Sequence, residues 1–186
     1  MILERIKLDQ LAAKLRKGDV ILANLSTGWS LLFDAWNEIA ISKARLQQPL
    51  IDFENRHVLF YSDAELNRMV NEIPSIGWDL LDSSNGELIL LLSSGGGAAA
   101  SMKEPDGYLA IRKVDAREEL ALVRLAKTTL AAIPLKENNF NLESDLEDEN
   151  GVLKEVDYLL NLPPIPQVTP AVIRLELNGE VKILKS

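Results

Sequence analysis

The sequence of 186 residues contains no cysteine and a single histidine, His57. Without cysteine there can be no disulfide, no thiolate catalysis and no cysteine-ligated zinc. No apolar run reaches the roughly 18 residues that a membrane-spanning helix requires. The N-terminus has an early acid and lacks the apolar block of a signal peptide. These absences predict a cytoplasmic protein that does not insert into a membrane.

Basic residues are in deficit, because 28 acidic side chains stand against 20 lysines and arginines, giving a net charge of −8. Affinity for nucleic acid rests largely on basic side chains that neutralise phosphates. We therefore expect RNA binding to be weak if it occurs. A local basic cavity is still compatible with this charge, because net charge does not describe a concave site. The length and the hydrophobic content of 47% fit one globular domain over residues 1–186.

Apolar patterning alternates between strand and helix periods along the chain, which predicts an α/β fold with a mixed sheet. Predicted strands cover residues 20–22, 57–61, 87–92, 107–114, 131–135, 172–177 and 181–184. Predicted helices cover residues 8–15, 34–46, 62–73, 115–129 and 152–160. Asn178-Gly179 between the last two strands predicts a hairpin with a type I′ turn.

Two of the predicted helices carry specific expectations about their ends and faces. Asp34 is expected to cap the second helix, with Ile39, Ala40 and Leu46 on its buried face. The helix that opens at Asp115 should bury residues at helical spacing, namely Leu122, Leu125, Ala126 and Thr129.

Chemical motifs that can be recognised from residue types alone are scarce. The glycine-rich stretch 93–100 has no lysine and hydroxyl at phosphate-loop offsets, so it predicts a flexible loop. The acidic stretch 143–149 lacks the ligand spacing of a calcium loop. No metal-histidine pair or catalytic triad order stands out, and we expect no metal site. Composition and periodicity therefore predict a soluble α/β domain and no specific function.

The segment 18–35 carries the most specific signal in the chain. Its sequence, Gly-Asp-Val-Ile-Leu-Ala-Asn-Leu-Ser-Thr-Gly-Trp-Ser-Leu-Leu-Phe-Asp-Ala, resembles the opening signature of the YrdC/YciO family, the threonylcarbamoyl-AMP synthases. The positions that match the signature are Thr27, Trp29, Leu31, Asp34 and Ala35. Weaker similarities follow in the same order at residues 37–41, 73–81, 107–112, 155–159 and 178–184, so the resemblance runs from about residue 8 to residue 185.

This resemblance implies a twisted, curved mixed sheet with helices around a central concave cavity. Active members of the family join ATP, threonine and bicarbonate for a later modification of transfer RNA. The resemblance carries over Thr27, Arg112 and Asn139 as ligand-binding candidates. Lys43 and Arg45 match the residue types of the family's Lys-x-Arg pair, although they lie about five residues before the aligned position.

The sequence departs from the family pattern at most of the polar positions. The family's Lys-x-Arg pair falls on Gln48 and Leu50, its strand threonine on Ile89, and its late Ser-Thr pair on Pro170 and Ala171. Its Ser-Thr-Ser-Ala-Asn segment falls on residues 135–139. These exchanges remove most hydrogen bonding to a triphosphate.

The sequence accordingly supports two hypotheses. The first is a catalytically impaired paralogue that binds a small anionic ligand, a nucleotide or, weakly, RNA. The alternative is an active synthase, a nucleotidyltransferase that uses ATP with magnesium. In it Lys43, Arg45 and Arg112 hold phosphate, while Thr27 and Asn139 position the substrate. Arg112 itself has two possible roles, an anion site or an internal ion pair with an acid such as Asp34.

Overall fold

The secondary structure consists of strands and helices that alternate along the chain. The structure, a computed structural model, describes residues 4–48, 50–93, 96–136, 153 and 155–185. In these ranges the strands are β1 Glu4–Ile6, β2 Ile21–Leu25, β3 Gly28–Asp34, β4 His57–Phe60, β5 Leu88–Ser93, β6 Tyr108–Lys113, β7 Leu130–Pro134, β8 Tyr158–Leu160, β9 Ala171–Leu175 and β10 Val181–Lys185. The α-helices are α1 Leu11–Arg16, α2 Glu38–Arg45, α3 Asp63–Met69, α4 Ser75–Ser83 and α5 Arg117–Ala126.

The described strands form one mixed sheet in the order β1-β8-β2-β3-β7-β4-β6-β5-β9-β10. Four neighbouring pairs are parallel, namely β1/β8, β2/β8, β4/β6 and β5/β9. The others, including the β9/β10 hairpin, are antiparallel. This mixed sheet with helices confirms the fold class predicted from the sequence.

Side chains alternate between the two faces of the sheet, and each face is packed by helices. One face, with Phe33 and Phe60, contacts buried residues of α2, α3 and α4. The other, with Ile21 and Leu59, contacts buried residues of α1 and α5. A third, smaller cluster lies on β5, β6 and β9 and consists of Ile89, Leu91, Tyr108, Ala110 and Val172. This small cluster borders the two clefts described below.

The start and the buried face of α2 differ from the sequence prediction. Asn37, not Asp34, caps the helix, because its Oδ1 accepts hydrogen bonds from the amides of Ile39 and Ala40 at 3.0 and 3.1 Å. Asp34 ends β3 instead. The face toward the core is formed by Ala40, Ile41 and Ala44. Ile39 and Leu46 are 71% and 70% exposed.

The predicted helix over residues 152–160 is wrong, because Tyr158–Leu160 is a strand between β1 and β2. The apolar residues there happen to be spaced as in a helix, although residues 158–160 form a short, largely buried strand. Two neighbouring strands supply the backbone partners that favour the strand.

Two smaller predictions also fail. In α5, Val123 is buried while Leu125 is 40% exposed, and the capping position is Ala116, which makes no side-chain cap. In the last hairpin only Gly179 of the Asn-Gly pair has a positive φ, 86°. Its amide donates to the Glu176 carbonyl at 2.9 Å, so the turn is not type I′.

Candidate ligand site

Arg112 lies on β6 with no exposed surface, and its charge is paired inside the protein. Its Nη1 and Nη2 donate to the two carboxylate oxygens of Glu119 on α5 at 3.1 and 3.0 Å. Nη1 also donates to the Ser26 hydroxyl at 3.1 Å. Ser26 in turn donates its amide and its hydroxyl to Glu119 at 2.8 and 3.0 Å. Arg112 and Glu119 therefore form a bidentate ion pair, and the carboxylate accepts additional hydrogen bonds from Ser26.

His57 completes this cluster as a neutral ring. Its Nε2 accepts a hydrogen bond from Nε of Arg112 at 3.4 Å, and its Nδ1 lies 2.8 Å from the carbonyl of Asn55. Both contacts are hydrogen bonds when Nδ1 carries the hydrogen. Burial, and then the charge of Arg112, lower the pKa of His57 to about 3. Burial raises the pKa of Glu119, but the charge of Arg112 together with the hydrogen bonds from Arg112 and Ser26 outweighs burial, so this pKa also lies below its ordinary value.

The internal ion pair considered for Arg112 in the sequence is therefore present, with Glu119 rather than Asp34 as the acid. Asp34 instead accepts a hydrogen bond from the amide of Trp36. The guanidinium of Arg112 does not line any of the cavities described below. It joins α5 to the sheet from within the core.

The two other predicted cations are also held by protein groups. Nζ of Lys43 lies 3.2 Å from a carboxylate oxygen of Asp157, which also accepts the amide of Val20. Arg45 donates to the carbonyl of Ser101 at 3.0 Å, and its guanidinium lies 4.5 Å from the ring centre of Phe53. The structure thus does not bring Lys43, Arg45 and Arg112 together.

A cavity of about 280 Å³ contains the fourth candidate, Thr27, and we call it the Thr27 cleft. Thr27 lies in the turn between β2 and β3. Its Oγ1 is shielded from water and has no hydrogen-bond partner among the described residues. A buried hydroxyl without a partner is uncommon and calls for an explanation. The cleft is lined by Thr27, Asp52, Asn55, Ile89, Pro134, Leu135, Lys136, Val168, Thr169, Pro170, Val172 and Lys185.

The Thr27 cleft gathers several positions at which the resemblance expects hydroxyls. Ile89, Leu135 and Pro170 form an apolar wall there instead. The two cations in its lining are Lys136 and Lys185. None of the charged lining residues was a candidate from the sequence, although Lys136 lies in the segment 135–139 on which the family's Ser-Thr-Ser-Ala-Asn falls.

The polar residues Asp52 and Asn55 of the lining were also not candidates from the sequence. Asp52 lines the cleft, and its Oδ2 accepts a hydrogen bond from Nδ2 of Asn55 at 2.5 Å. Gln48 and Leu50, where the family's Lys-x-Arg pair falls, do not line it. Gln48 is exposed and Leu50 is buried in the main core. Asn139, the fifth candidate, lies outside the described residues.

A second, more open cleft of about 940 Å³ adjoins the first and shares Asn55, Val172 and Lys185 with it. One of its cations, Arg174, is already paired. Arg174 lies 2.5 Å from a carboxylate oxygen of Asp106 and 2.8 Å from one of Glu176. These contacts raise its pKa further above the ordinary value. Arg174 therefore adds little free positive charge to the Thr27 cleft.

Metal binding and membrane insertion receive no support from the described ranges. They contain no group of three or more acidic or histidine side chains that could hold a metal ion. In the same ranges, no helix has both the length and the apolar character needed to cross a bilayer.

Comparison with solved structures places the fold. The chain superimposes on E. coli YciO with a TM-score of 0.79 at 16% identity, over 98% of this chain and 94% of YciO. The fold is that of YciO.

Larger proteins contain the same fold as one part. P. abyssi Sua5 complexed with L-threonine matches with a TM-score of 0.71 and 16% identity, over 94% of this chain and 54% of Sua5. Full-length HypF in its phosphate- and nucleotide-bound form matches with a TM-score of 0.72 and 17% identity, over 95% of this chain and 28% of HypF. No family model and no curated protein matches the sequence. At these identities the likeness to YciO, Sua5 and HypF establishes the fold alone.

Proposed function

We propose that this chain is a YrdC-like protein, a relative of the synthases that act in transfer-RNA modification. In this proposal it binds a small ligand in the Thr27 cleft and no longer makes threonylcarbamoyl-AMP. The observation that carries the proposal is the position of the three predicted cations. Arg112, Lys43 and Arg45 all have protein partners, and none of them lines the cleft.

Synthesis of an acyl-adenylate from ATP needs fixed cations and donors around a triphosphate. Removing one such donor typically lowers kcat by about 10²–10³-fold. In this cleft an apolar wall formed by Ile89, Leu135 and Pro170 replaces expected hydroxyls. Several losses of this kind leave little transition-state stabilisation, although the apolar exchanges favour burial and are compatible with the fold.

The lining of the Thr27 cleft fits a small zwitterion, such as an amino acid with an apolar side chain. Asp52 supplies a negative group, Lys136 and Lys185 supply positive groups, and Ile89, Leu135 and Pro170 line the same cavity. The unpartnered hydroxyl of Thr27 adds a hydrogen-bonding group that the protein itself does not satisfy. A volume of 280 Å³ lies near the lower end of the range for ligand pockets, about 300–1,000 Å³. P. abyssi Sua5, which shares the fold, was solved with L-threonine.

Calorimetric titration with L-threonine, L-valine and L-leucine tests the ligand class. We expect saturable binding of at least one of them without ATP, and a roughly tenfold loss in Thr27→Val because one hydrogen bond disappears. Thr128→Val is the matched control, since Thr128 lies in a different pocket. No binding of any of these amino acids, or equal effects of the two substitutions, would contradict the proposal.

The loss of synthase activity is tested separately by pyrophosphate release. The full chain is mixed with ATP, magnesium, L-threonine and bicarbonate, and we expect no release above the protein-free rate. Release at the turnover of ordinary enzymes, about 1 s⁻¹ or more, would instead support the active synthase.

A further inference from the structure

We infer that a second binding site, for a phosphate-bearing ligand with a planar ring such as a nucleoside monophosphate, lies at the C-terminal end of α5. A cavity of about 450 Å³ is present there, and we call it the Lys127 pocket. Its lining comes from α3, α5 and the chain around them. The lining residues are Trp36, Leu59, Tyr61, Glu65, Arg68, Met69, Gly97, Val123, Arg124, Lys127, Thr128 and Thr129.

The pocket concentrates positive charge in a protein whose net charge is −8. Arg68, Arg124 and Lys127 line it, and none of them forms an ion pair or a hydrogen bond through its charged group with a described residue. Glu65 is the one acid in the lining, and its Oε2 accepts the amide of Tyr61 at 3.0 Å. Three cations that the described chain leaves without anionic partners favour an anionic ligand.

The backbone at Lys127 is an outlier in the same place. Lys127 has φ 54° and ψ 24°, the left-handed conformation that usually falls to glycine at the end of a helix. Among the described non-glycine residues only Asn85 shares a positive φ, and asparagine tolerates it better than lysine. A strained lysine at the mouth of a pocket is the kind of outlier that indicates a functional constraint.

Aromatic rings supply the second part of the proposed recognition. Trp36 is 53% exposed although it lines the pocket, so its indole face is available for stacking. The ring of Tyr61 lies beneath the guanidinium of Arg124 at 4.9 Å, which holds that cation over the pocket wall. The hydroxyls of Thr128 and Thr129 make no hydrogen bond with described residues, and both residues line the same cavity. The cations and hydroxyls are suited to bind a phosphate, and the exposed indole is suited to stack on a base joined to it.

Gly97 shapes one wall of the pocket. A Cβ built on it would lie 2.7 Å from Cα of Met69, so the loop packs directly on the backbone of α3. The following Ala98 and Ala99 are buried, so residues 97–99 are packed rather than forming the flexible loop expected from the sequence. Gly97 itself adds no side chain to this wall.

The Lys127 pocket is separate from the Thr27 cleft. Tyr61 and Thr129 lie just beyond β4 and before β7, whereas Asn55 and Lys136 lie at the opposite ends of these two strands. Strands of four and five residues place about 13–17 Å between the two ends. The inference therefore does not rest on the proposed function, and the two can fail independently.

Titration of the full chain with AMP, adenosine and inorganic phosphate at physiological salt tests the inference. We expect AMP to bind at least tenfold more tightly than either of its parts. Arg124→Gln and Lys127→Gly should each weaken AMP binding at least tenfold, while Thr27→Val should leave it unchanged.

Lys127→Gly also separates binding from folding, because glycine relieves the left-handed backbone. We expect its Tm to rise while AMP affinity falls, whereas Asn85→Gly, which relieves the same conformation elsewhere, should leave AMP affinity unchanged. No saturable binding of AMP up to millimolar concentration would overturn the inference. So would AMP binding that survives both pocket substitutions, or phosphate alone binding as tightly as AMP.

Discussion

The two ends of the central strands differ in the surroundings of their cations. A buried arginine is paired with an acid at one end, and cations line a cavity at the other. Near the Thr27 cleft, Arg112 is paired with Glu119 inside the core, and the lining of the cleft mixes apolar residues with polar ones. At the Lys127 pocket, three cations line a cavity without acid partners in the described chain. The contrast indicates that cations within one fold can be paired inside the protein at one site and left to line a cavity at another. Fold likeness to YciO, Sua5 and HypF alone would not reveal that difference.

The largest expected effect comes from breaking the buried pair on the side of the Thr27 cleft. Glu119→Gln leaves the guanidinium of Arg112 buried without a counter-charge, so we expect a loss of about 3–5 kcal/mol in the free energy of unfolding. Urea denaturation measures this loss. Asp82→Asn is the matched control, because it breaks the exposed pair with Lys113 and should cost less than about 1 kcal/mol.

Replacing both partners sharpens that result. Arg112→Met combined with Glu119→Leu should recover most of the lost stability, because neither charge remains buried. If Glu119→Gln proves no more harmful than Asp82→Asn, the pair is not closed as described and Arg112 is available to a ligand.

Acidification should weaken the same cluster through His57, whose pKa is lowered to about 3 by burial and by the charge of Arg112. Between its ordinary pKa of 6.5 and this value, the unfolded chain binds a proton that the folded chain does not. The free energy of unfolding therefore decreases as the pH is lowered, by about 2 kcal/mol from pH 7.5 to pH 5. The lowered pKa of Glu119 also reduces stability on acidification, but only as the pH falls below the ordinary pKa of a glutamate, 4.5.

His57→Gln tests the assignment, since glutamine can donate and accept hydrogen bonds but does not titrate. Urea midpoints measured at intervals from pH 7.5 to pH 5 should vary less in the variant than in the parent protein. An unchanged slope would mean that His57 is not held neutral.

A smaller effect is expected at the Thr27 cleft itself. Thr27→Val replaces a buried hydroxyl that lacks a partner with a methyl group of similar size. We expect a gain of about 1 kcal/mol in the free energy of unfolding without ligand, because the desolvation cost of the hydroxyl disappears. Thr128→Val, whose hydroxyl lies in the open Lys127 pocket, should change stability by only a few tenths of a kcal/mol. A destabilised Thr27→Val would show that the hydroxyl has a partner within the protein.

The smallest effect concerns the backbone of the Lys127 pocket. Lys127→Gly should stabilise the ligand-free protein by about 0.5–1 kcal/mol, because a left-handed lysine is strained and glycine is not. Thermal unfolding measures the gain, with Asn85→Gly as the comparison expected to gain less. A loss of stability would indicate that the lysine side chain supports the fold.

How far the sequence predicted the fold depends on the segment. β4, β5 and β6 were predicted because buried strands there read as nearly continuous apolar runs. β3 was missed, since polar residues at Thr27 and Ser30 interrupt its pattern although they belong to a hairpin with β2. α4 was missed because Pro74 was interpreted only as the end of one helix, whereas it also precedes the next.

Of the candidate site residues, Thr27 lines a cleft, and its role in binding a ligand stays a prediction. Arg112 was identified, but its partner could not be, since Glu119 is on another element and no sequence spacing relates a strand residue to a helix packed across it. Lys43 and Arg45 have the right chemistry but face separate partners. The charges of the Lys127 pocket come from distant segments that only the tertiary fold brings together.

Hydrogen–deuterium exchange of the full chain with and without millimolar ATP tests the central contrast most directly. The account predicts that protection appears around residues 65–69 and 124–129, which line the Lys127 pocket, while residues 26–30 and 132–136 at the Thr27 cleft are unchanged. Protection confined to residues 26–30 and 132–136 would contradict it, because the triphosphate would then occupy the cleft that Arg112, Lys43 and Arg45 do not line.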